Sequence, residues 1–169
     1  MRVFVAGASG AIGHPLVPRL VAAGHDVTGT TRSQRSAEAI RAAGAGAAIV
    51  DALDATALHE AVERAAPEVV VHELTALPER FNPRKRDLYD ATNRIRREGT
   101  RNLLDAAAAA GVRRFVCQSI AFAYAPAAEP VVMDEEAPLN LDAPPPSKRE
   151  LGWQPRWSSW REGFRDAPR

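Results

Sequence analysis

A hydrophobic strand that runs straight into three glycines narrows the folds open to this chain more than any other feature. Arg2-Val3-Phe4-Val5-Ala6 has the β-branched and aromatic character of a strand. Gly7-Ala8-Ser9-Gly10-Ala11-Ile12-Gly13 follows directly, spelling G-x-x-G-x-x-G, and a helical pattern begins near Ala11. Glycines at this spacing occur by chance, but between a strand and a helix each has a physical task. The first permits a tight turn, the second lets phosphate approach the backbone, and the third lets the helix pack closely on the strand. The helix N-terminus adds free N–H groups and the positive end of its dipole. Gly7, Ser9, Gly10, Ala11, Ile12 and Gly13 are therefore candidate contacts to the pyrophosphate of NAD(P). A glycine-rich turn that holds no ligand is the alternative reading.

The same alternation of strand and helix continues. The first helix spans about 11–23, with Ile12, Leu16 and Leu20 beside Val17 and Val21 as its apolar stripe. Pro18 removes a backbone donor inside it and predicts a kink or a weakened turn. Further strands are predicted at 26–30, 47–50, 69–72 and 114–118. Helices are predicted at 33–43, at 54–66 with Asp54 as N-cap, and as one long run from about 87 to 110. Gly24, Gly44 and Gly111 close three of these helices. Strands that are apolar throughout are expected where helices cover both faces of a parallel sheet. The fold class is α/β: a Rossmann-type doubly wound parallel sheet of about five strands, in the order 3-2-1-4-5.

Beyond Tyr124 the pattern stops, with prolines at 126, 130, 138, 144, 145 and 146. We expect a nucleotide-binding domain over 1–125, a proline-rich linker over 126–146 and a tryptophan-rich tail over 147–169. The 169 residues suffice for one domain with a sizeable core. A net charge of +1 argues against a general nucleic-acid or membrane-surface binder. No apolar run approaches the ~20 residues of a membrane span, and the first residues lack the build of a signal peptide. Cys117 is the one cysteine, so no intrachain disulfide can form, and a cytoplasmic location is expected.

The choice of cofactor should be legible at the end of the second strand. An NAD site places a carboxylate there for the ribose hydroxyls. This chain has Thr31-Arg32-Ser33 and no acid until Glu38. A guanidinium can pair with a 2′-phosphate, so Arg32 favours NADP over NAD. A solvated surface arginine is the alternative.

Several stretches in order carry a resemblance. They are the loop 7–13, Val70-Val71-His72-Glu73-Leu74-Thr75-Ala76, Gly99-Thr100-Arg101-Asn102-Leu103-Leu104, Gly111-Val112-Arg113-Arg114-Phe115-Val116, and the segment from Gln118-Ser119 to Tyr124. Together they resemble the extended short-chain dehydrogenase/reductases, of the NAD-dependent epimerase/dehydratase type, over residues 1–125. The resemblance implies that Asp51 and Ala52 contact adenine and that Leu74, Thr75 and Ala76 pass the adenosine ribose. It implies oxidoreductase or epimerase chemistry on a small molecule. The stretches Lys148-Arg149-Glu150-Leu151-Gly152-Trp153-Gln154-Pro155 and Ser159-Trp160-Arg161-Glu162-Gly163-Phe164 look like the C-terminus of the same family. Both ends are then present, while the middle and most of the substrate domain are missing.

The family's catalytic pair, a tyrosine and a lysine four residues later, is absent. Asn93 and Ala128 stand four places after Tyr89 and Tyr124, and neither Lys85 nor Lys148 follows a tyrosine at that distance. If Tyr124 matches the family's fifth-strand tyrosine, the catalytic serine position falls on Ile120, one place after Ser119. No catalytic residue is assigned. A catalytically silent NAD(P)-binding sensor or interaction protein is therefore the alternative function. His14, His25, His59 and His72 are scattered and form no metal-ligand pattern, and Cys117 reads as a core residue. The basic stretch from Arg80 to Arg101 is interleaved with acids and reads as a solvated face rather than a polyanion surface. An uncovered fifth strand would invite a homodimer.

Overall fold

The computed structural model describes residues 1–77, 90–118, 124–125 and 137–138. The chain divides into two compact units, Met1–Gln118 and Ser119–Arg169. The first contains β1 (Arg2–Ala6), α1 (Gly13–Ala22), β2 (Asp26–Thr31), α2 (Gln34–Ala42), β3 (Gly46–Ile49), α3 (Ala55–Ala65) and β4 (Val69–His72). It continues through α4 (Asp90–Arg94), a π-helical segment (Ile95–Gly99), α5 (Thr100–Ala109) and β5 (Arg114–Cys117). Of the second unit, Tyr124, Ala125, Ala137 and Pro138 are described, and the Ala125 amide donates to the Pro138 carbonyl at 2.8 Å. The linker and tail expected over 126–146 and 147–169 otherwise lie outside the described residues.

The five strands form one parallel sheet in the order β3-β2-β1-β4-β5, as the alternation predicts. In the central strand successive side chains point to opposite faces, so the hydrophobic run of β1 serves two cores. Val3 and Val5 pack with Val17 of α1, Val27 of β2 and Ile40 of α2. Phe4 and Ala6 pack with Val70 of β4, Leu58 and Val62 of α3, and Leu103, Ala106 and Ala107 of α5. Each large apolar side chain fully buried here, such as Phe4, Leu58 or Leu103, stabilises the fold by about 1.5–3 kcal/mol. The burial of β1 on both sides explains why it carries no polar residue after Arg2.

Side-chain caps set two helix starts. Ser33 Oγ accepts the Ser36 amide at 3.2 Å, and Asp54 Oδ1 accepts the Ala57 amide at 3.0 Å, satisfying donors that the first turn leaves free. Gly24, Gly44 and Gly111 follow their helices with positive φ, as expected.

Two expectations need correction. Helix α1 begins at Gly13 rather than near Ala11, because residues 7–12 are consumed by the turn. Ile12 consequently leaves the apolar stripe and is 44% exposed. Helix α1 continues through Pro18, which is exposed; its missing N–H leaves one carbonyl of the preceding turn to water. The long helix is not uniform: α4 and α5 are joined by a π-helical turn, and its expected start at 87–89 lies outside the described residues. Thr92, Ile95, Gly99, Leu103 and Ala106 fit an ordinary 3.6-residue repeat, so apolar periodicity carries no trace of the wider turn.

Strand β5 is the least covered. Val116 is 53% exposed, and its register partner Val71 places it on the α1 and α2 face, which no described helix extends across at this edge.

Candidate functional site

The carboxyl ends of β1, β2, β3 and β4 bring four sequence-predicted positions to one edge of the sheet. The turn after β1 dominates it. Gly7 has φ +93°, and a Cβ there would lie 2.6 Å from the Glu73 carbonyl oxygen on the neighbouring strand. Its amide donates to Thr30 Oγ1 at 3.0 Å, and the Glu73 amide donates to the Ala6 carbonyl at 2.8 Å. Gly13 is tighter still, because a Cβ would collide with the Gly7 carbonyl oxygen and lie 2.6 Å from Ala8 Cα. These two glycines are required by the protein's own backbone.

Gly10 is not. A Cβ at Gly10 would meet only the Gly7 carbonyl oxygen, at 3.2 Å, and the residue is exposed. The room above it is open on the solvent side, which is the cradle an incoming phosphate needs. Around it Ser9, Ala11 and Ile12 are exposed. Among the described residues, the amides of Ser9, Ala11, Ile12 and Gly13 meet no acceptor, whereas Gly10 donates to the Gly7 carbonyl at 3.0 Å and His14 to the Gly10 carbonyl at 2.9 Å. Unpaired amides at a helix start favour an anion. The residues present fit a dinucleotide's pyrophosphate.

Arg32 is exposed in the short turn between β2 and α2, flanked by buried Thr31 and the cap residue Ser33. Asp51 and Ala52 follow β3. Asp51 is exposed and uses Oδ1 to accept the Leu53 amide at 3.0 Å, while Ala52 is buried. Leu74, Thr75 and Ala76 follow β4, with Thr75 exposed and the other two half-buried. The order of strands sets these groups in a row: Asp51, Arg32, the glycine loop, then Leu74. Consecutive strands wind away from one another at β1 and β4, and such a switch point leaves a crevice at the strand ends.

Sequence reasoning missed how these loops are held. The α4–π–α5 run bonds two of them, and the end of β4, with side chains. Thr92 Oγ1, fully buried, accepts the Ala76 amide at 3.0 Å. Asn102 Nδ2 donates to the Ala52 carbonyl at 2.9 Å. Leu74 donates its amide to His72 Nδ1 at 3.2 Å, so the ring proton sits on Nε2, which faces Thr100 Oγ1 at 2.7 Å. Burial pushes the His72 pKa down and favours the neutral ring that this pattern requires. Asn102 and Thr100 stand within a stretch that signals the family, but no spacing rule reveals a partner 28 or 50 residues away.

Among the expected catalytic positions, Lys85, Tyr89, Ser119, Ile120, Ala128 and Lys148 lie outside the described residues. Asn93 accepts from Arg96 Nη1 at 3.3 Å on the helix surface. Arg94 and Glu98 pair at 2.9 Å across an exposed turn, in line with a solvated face. His14 is exposed at the start of α1, and no metal-holding cluster occurs among the described residues. Cys117 corrects the expectation of a core cysteine: the residue is exposed. Its thiol still lies against the protein, 3.5 Å from the Gln118 carbonyl, and partial burial and the charge of Glu73 push its pKa up.

Comparison with known proteins agrees with this geometry. Residues 7–142 match the model of an NAD(P)H-binding family. The chain is 51% identical over 154 residues to the 3-diazoavenalumate denitrifying reductase of a Streptomyces species, a match covering 90% of this chain and 47% of that protein. Among solved structures, the Bordetella bronchiseptica enzyme WbmG, in complex with NAD and UDP, is 26% identical with a TM-score of 0.63. That match covers 82% of this chain and 43% of WbmG. The UDP-glucose 4-epimerase of Thermus thermophilus, in complex with NAD, is 25% identical with a TM-score of 0.64, covering 82% of this chain and 44% of the epimerase. The chain thus spans about half the length of the curated reductase it matches. With a parallel sheet in the order 3-2-1-4-5, a glycine loop free of protein contacts above Gly10, and a family match over most of its length, the chain belongs to the NAD(P)H-binding family.

Proposed function

We propose that this chain supplies the dinucleotide-binding half of an NAD(P)H-dependent oxidoreductase or epimerase that acts on a small molecule. The observation that carries the reading is Gly10: the protein constrains it far less than Gly7 or Gly13, with one backbone oxygen 3.2 Å from a Cβ there, and its open side suits a phosphate. In this reading Gly7, Ser9, Gly10, Ala11, Ile12 and Gly13 hold the pyrophosphate, Asp51 and Ala52 border adenine, and Leu74, Thr75 and Ala76 pass the adenosine ribose. The 51% identity to a protein named a reductase favours hydride transfer over a silent sensor role. This chain carries no tyrosine followed four residues later by lysine, so the reading assigns it cofactor binding and no proton-transfer group.

Arg32 is the selector we assign to NADP. It stands exposed where β2 ends, and the chain from there has no carboxylate before Glu38. Calorimetric titration with NADPH and NADH tests both parts. We expect NADPH to bind at least tenfold more tightly, and Arg32→Ala to weaken NADPH by about 10–100-fold, in the range of a lost charge-assisted pair, while leaving NADH unchanged. A folded chain that binds neither cofactor overturns the function. Equal losses for both cofactors overturn the selector.

The exposed Val116 on the edge strand supports a second proposal, that the chain forms a homodimer through β5. Light scattering after gel filtration should give twice the monomer mass, and Val116→Lys should halve it. A monomeric wild-type chain ends the idea.

A further inference from the structure

Glu73 is the ionisable group that the reading above does not use. It is the first residue after β4, on the strand that flanks the glycine loop, and its own carbonyl oxygen is what the absent Cβ of Gly7 would strike. Side chains alternate along β4. Val70 joins the α3 and α5 core and His72 turns toward Thr100 of α5, whereas Val69 and Val71 join the core under α1. Glu73 follows directly, its backbone against the glycine loop at Gly7 and its carboxylate close enough to Cys117 of β5 for its charge to be felt there. Its Oε2 is sealed from solvent and has no hydrogen-bond partner, although the residue as a whole is only half-buried.

An unpartnered, dry carboxylate oxygen is costly, and the cost rises if the remaining exposure is closed. Among the described residues no cation pairs with this carboxylate. The loop 7–12 has no ionisable side chain, and α1 brings only His14 at its exposed start. His72 of β4 is held neutral, and its register partner on β5 is the Cys117 thiol, itself a potential anion whose pKa the Glu73 charge raises. A dinucleotide lying across the switch point between β1 and β4 would bring a pyrophosphate dianion to this crevice.

We propose that dinucleotide binding is proton-linked through Glu73: the carboxyl takes up a proton as the cofactor closes over it and donates the resulting O–H to an oxygen of the bound dinucleotide. This rests on the cofactor-binding reading. Burial already holds the Glu73 pKa above the ordinary carboxylate value in the free protein. A covering ligand strips the remaining water, and the nearby phosphate charges act in the same direction, so the bound pKa is higher again. The proton comes from solvent and returns there on release. The sign follows from linkage. The bound form holds more protons, so affinity falls as pH rises from the free to the bound pKa, with a limiting slope of about tenfold per pH unit for one linked proton.

The test is calorimetry of the full chain with NADH and with ADP-ribose, neither of which carries a titrating 2′-phosphate. Repeating it between pH 5.5 and 8 in buffers of different ionisation enthalpy counts the protons. Wild type should take up a fraction of a proton approaching one, and its dissociation constant should rise with pH by more than tenfold across the range. Glu73→Gln, of the same shape and always neutral, should bind with no pH trend and no uptake, while His14→Gln keeps the wild-type linkage. Binding with no proton uptake in wild type overturns the proposal, as does uptake retained in Glu73→Gln or lost in His14→Gln. Absence of binding at every pH would instead count against the cofactor reading itself.

Discussion

Gly13→Ala should lower the melting temperature of this chain by about 6–12 °C, the largest loss of stability we expect from any single methyl group here. The added carbon would overlap the Gly7 carbonyl oxygen and sit 2.6–2.7 Å from backbone atoms of Ala8. None of these atoms can rotate away as a flexible side chain would. Ala8 is itself fixed, because its methyl fills the gap left by Gly29 on β2, where a Cβ would lie 2.5 Å from it. Relief therefore requires α1 to lift off β1 and uncover Val17 against Val3 and Val5. Overpacking of this kind costs about 3 kcal/mol, and a chain of this length loses about 2–4 °C per kcal/mol. Thermal unfolding followed by circular dichroism reads the effect. A variant that melts within about two degrees of wild type would mean that α1 does not seat on this turn as described.

Gly10→Val should do the reverse, leaving stability almost untouched while raising the dissociation constant for NADPH at least about 100-fold. The nearest protein atom to a Cβ at Gly10 is the Gly7 carbonyl oxygen, 3.2 Å away, which must give by a few tenths of an ångström, against the backbone overlap that a Cβ at Gly13 would create. The branched side chain would then stand in the open space over the unpaired amides of Ser9, Ala11 and Ile12. A phosphate kept from those amides loses several charge-assisted hydrogen bonds, and 100-fold corresponds to about 2.7 kcal/mol. Fluorescence titration with NADPH, paired with a melting curve on the same sample, separates binding from folding. Tight binding by the valine variant would show that phosphate does not approach over Gly10, and the assignment of the loop would fall with it.

The contrast between these glycines shows how far residue order alone reaches. The spacing G-x-x-G-x-x-G after a strand identifies the turn and its ligand class, yet it treats all three glycines alike. Only the folded chain separates Gly7 and Gly13, where a Cβ would strike backbone at 2.6 Å or less, from Gly10, where the nearest atom is 3.2 Å away. The same limit appears at Ile12. Helical periodicity assigns it to the core stripe, but the turn consumes two more residues than the pattern implies, and the side chain faces solvent. Cys117 reads as core because it ends an apolar strand; its exposure depends on what lies over that edge of the sheet.

What the amino-acid sequence determined by itself was everything carried by local chemistry. Alternating runs set five strands and their helices, short parallel connections set the order 3-2-1-4-5, and Ser33 and Asp54 marked two helix starts through bonds to amides three residues on. The tertiary structure decided what depends on partners distant in the chain. Thr30 holds the Gly7 amide across 23 residues, Asn102 holds Ala52 across 50, and the His72–Thr100 pair spans 28. It also sealed Glu73 Oε2 without a partner. Hydrogen bonds and desolvation act over a few ångströms in space, and sequence separation carries no information about which groups will lie that close.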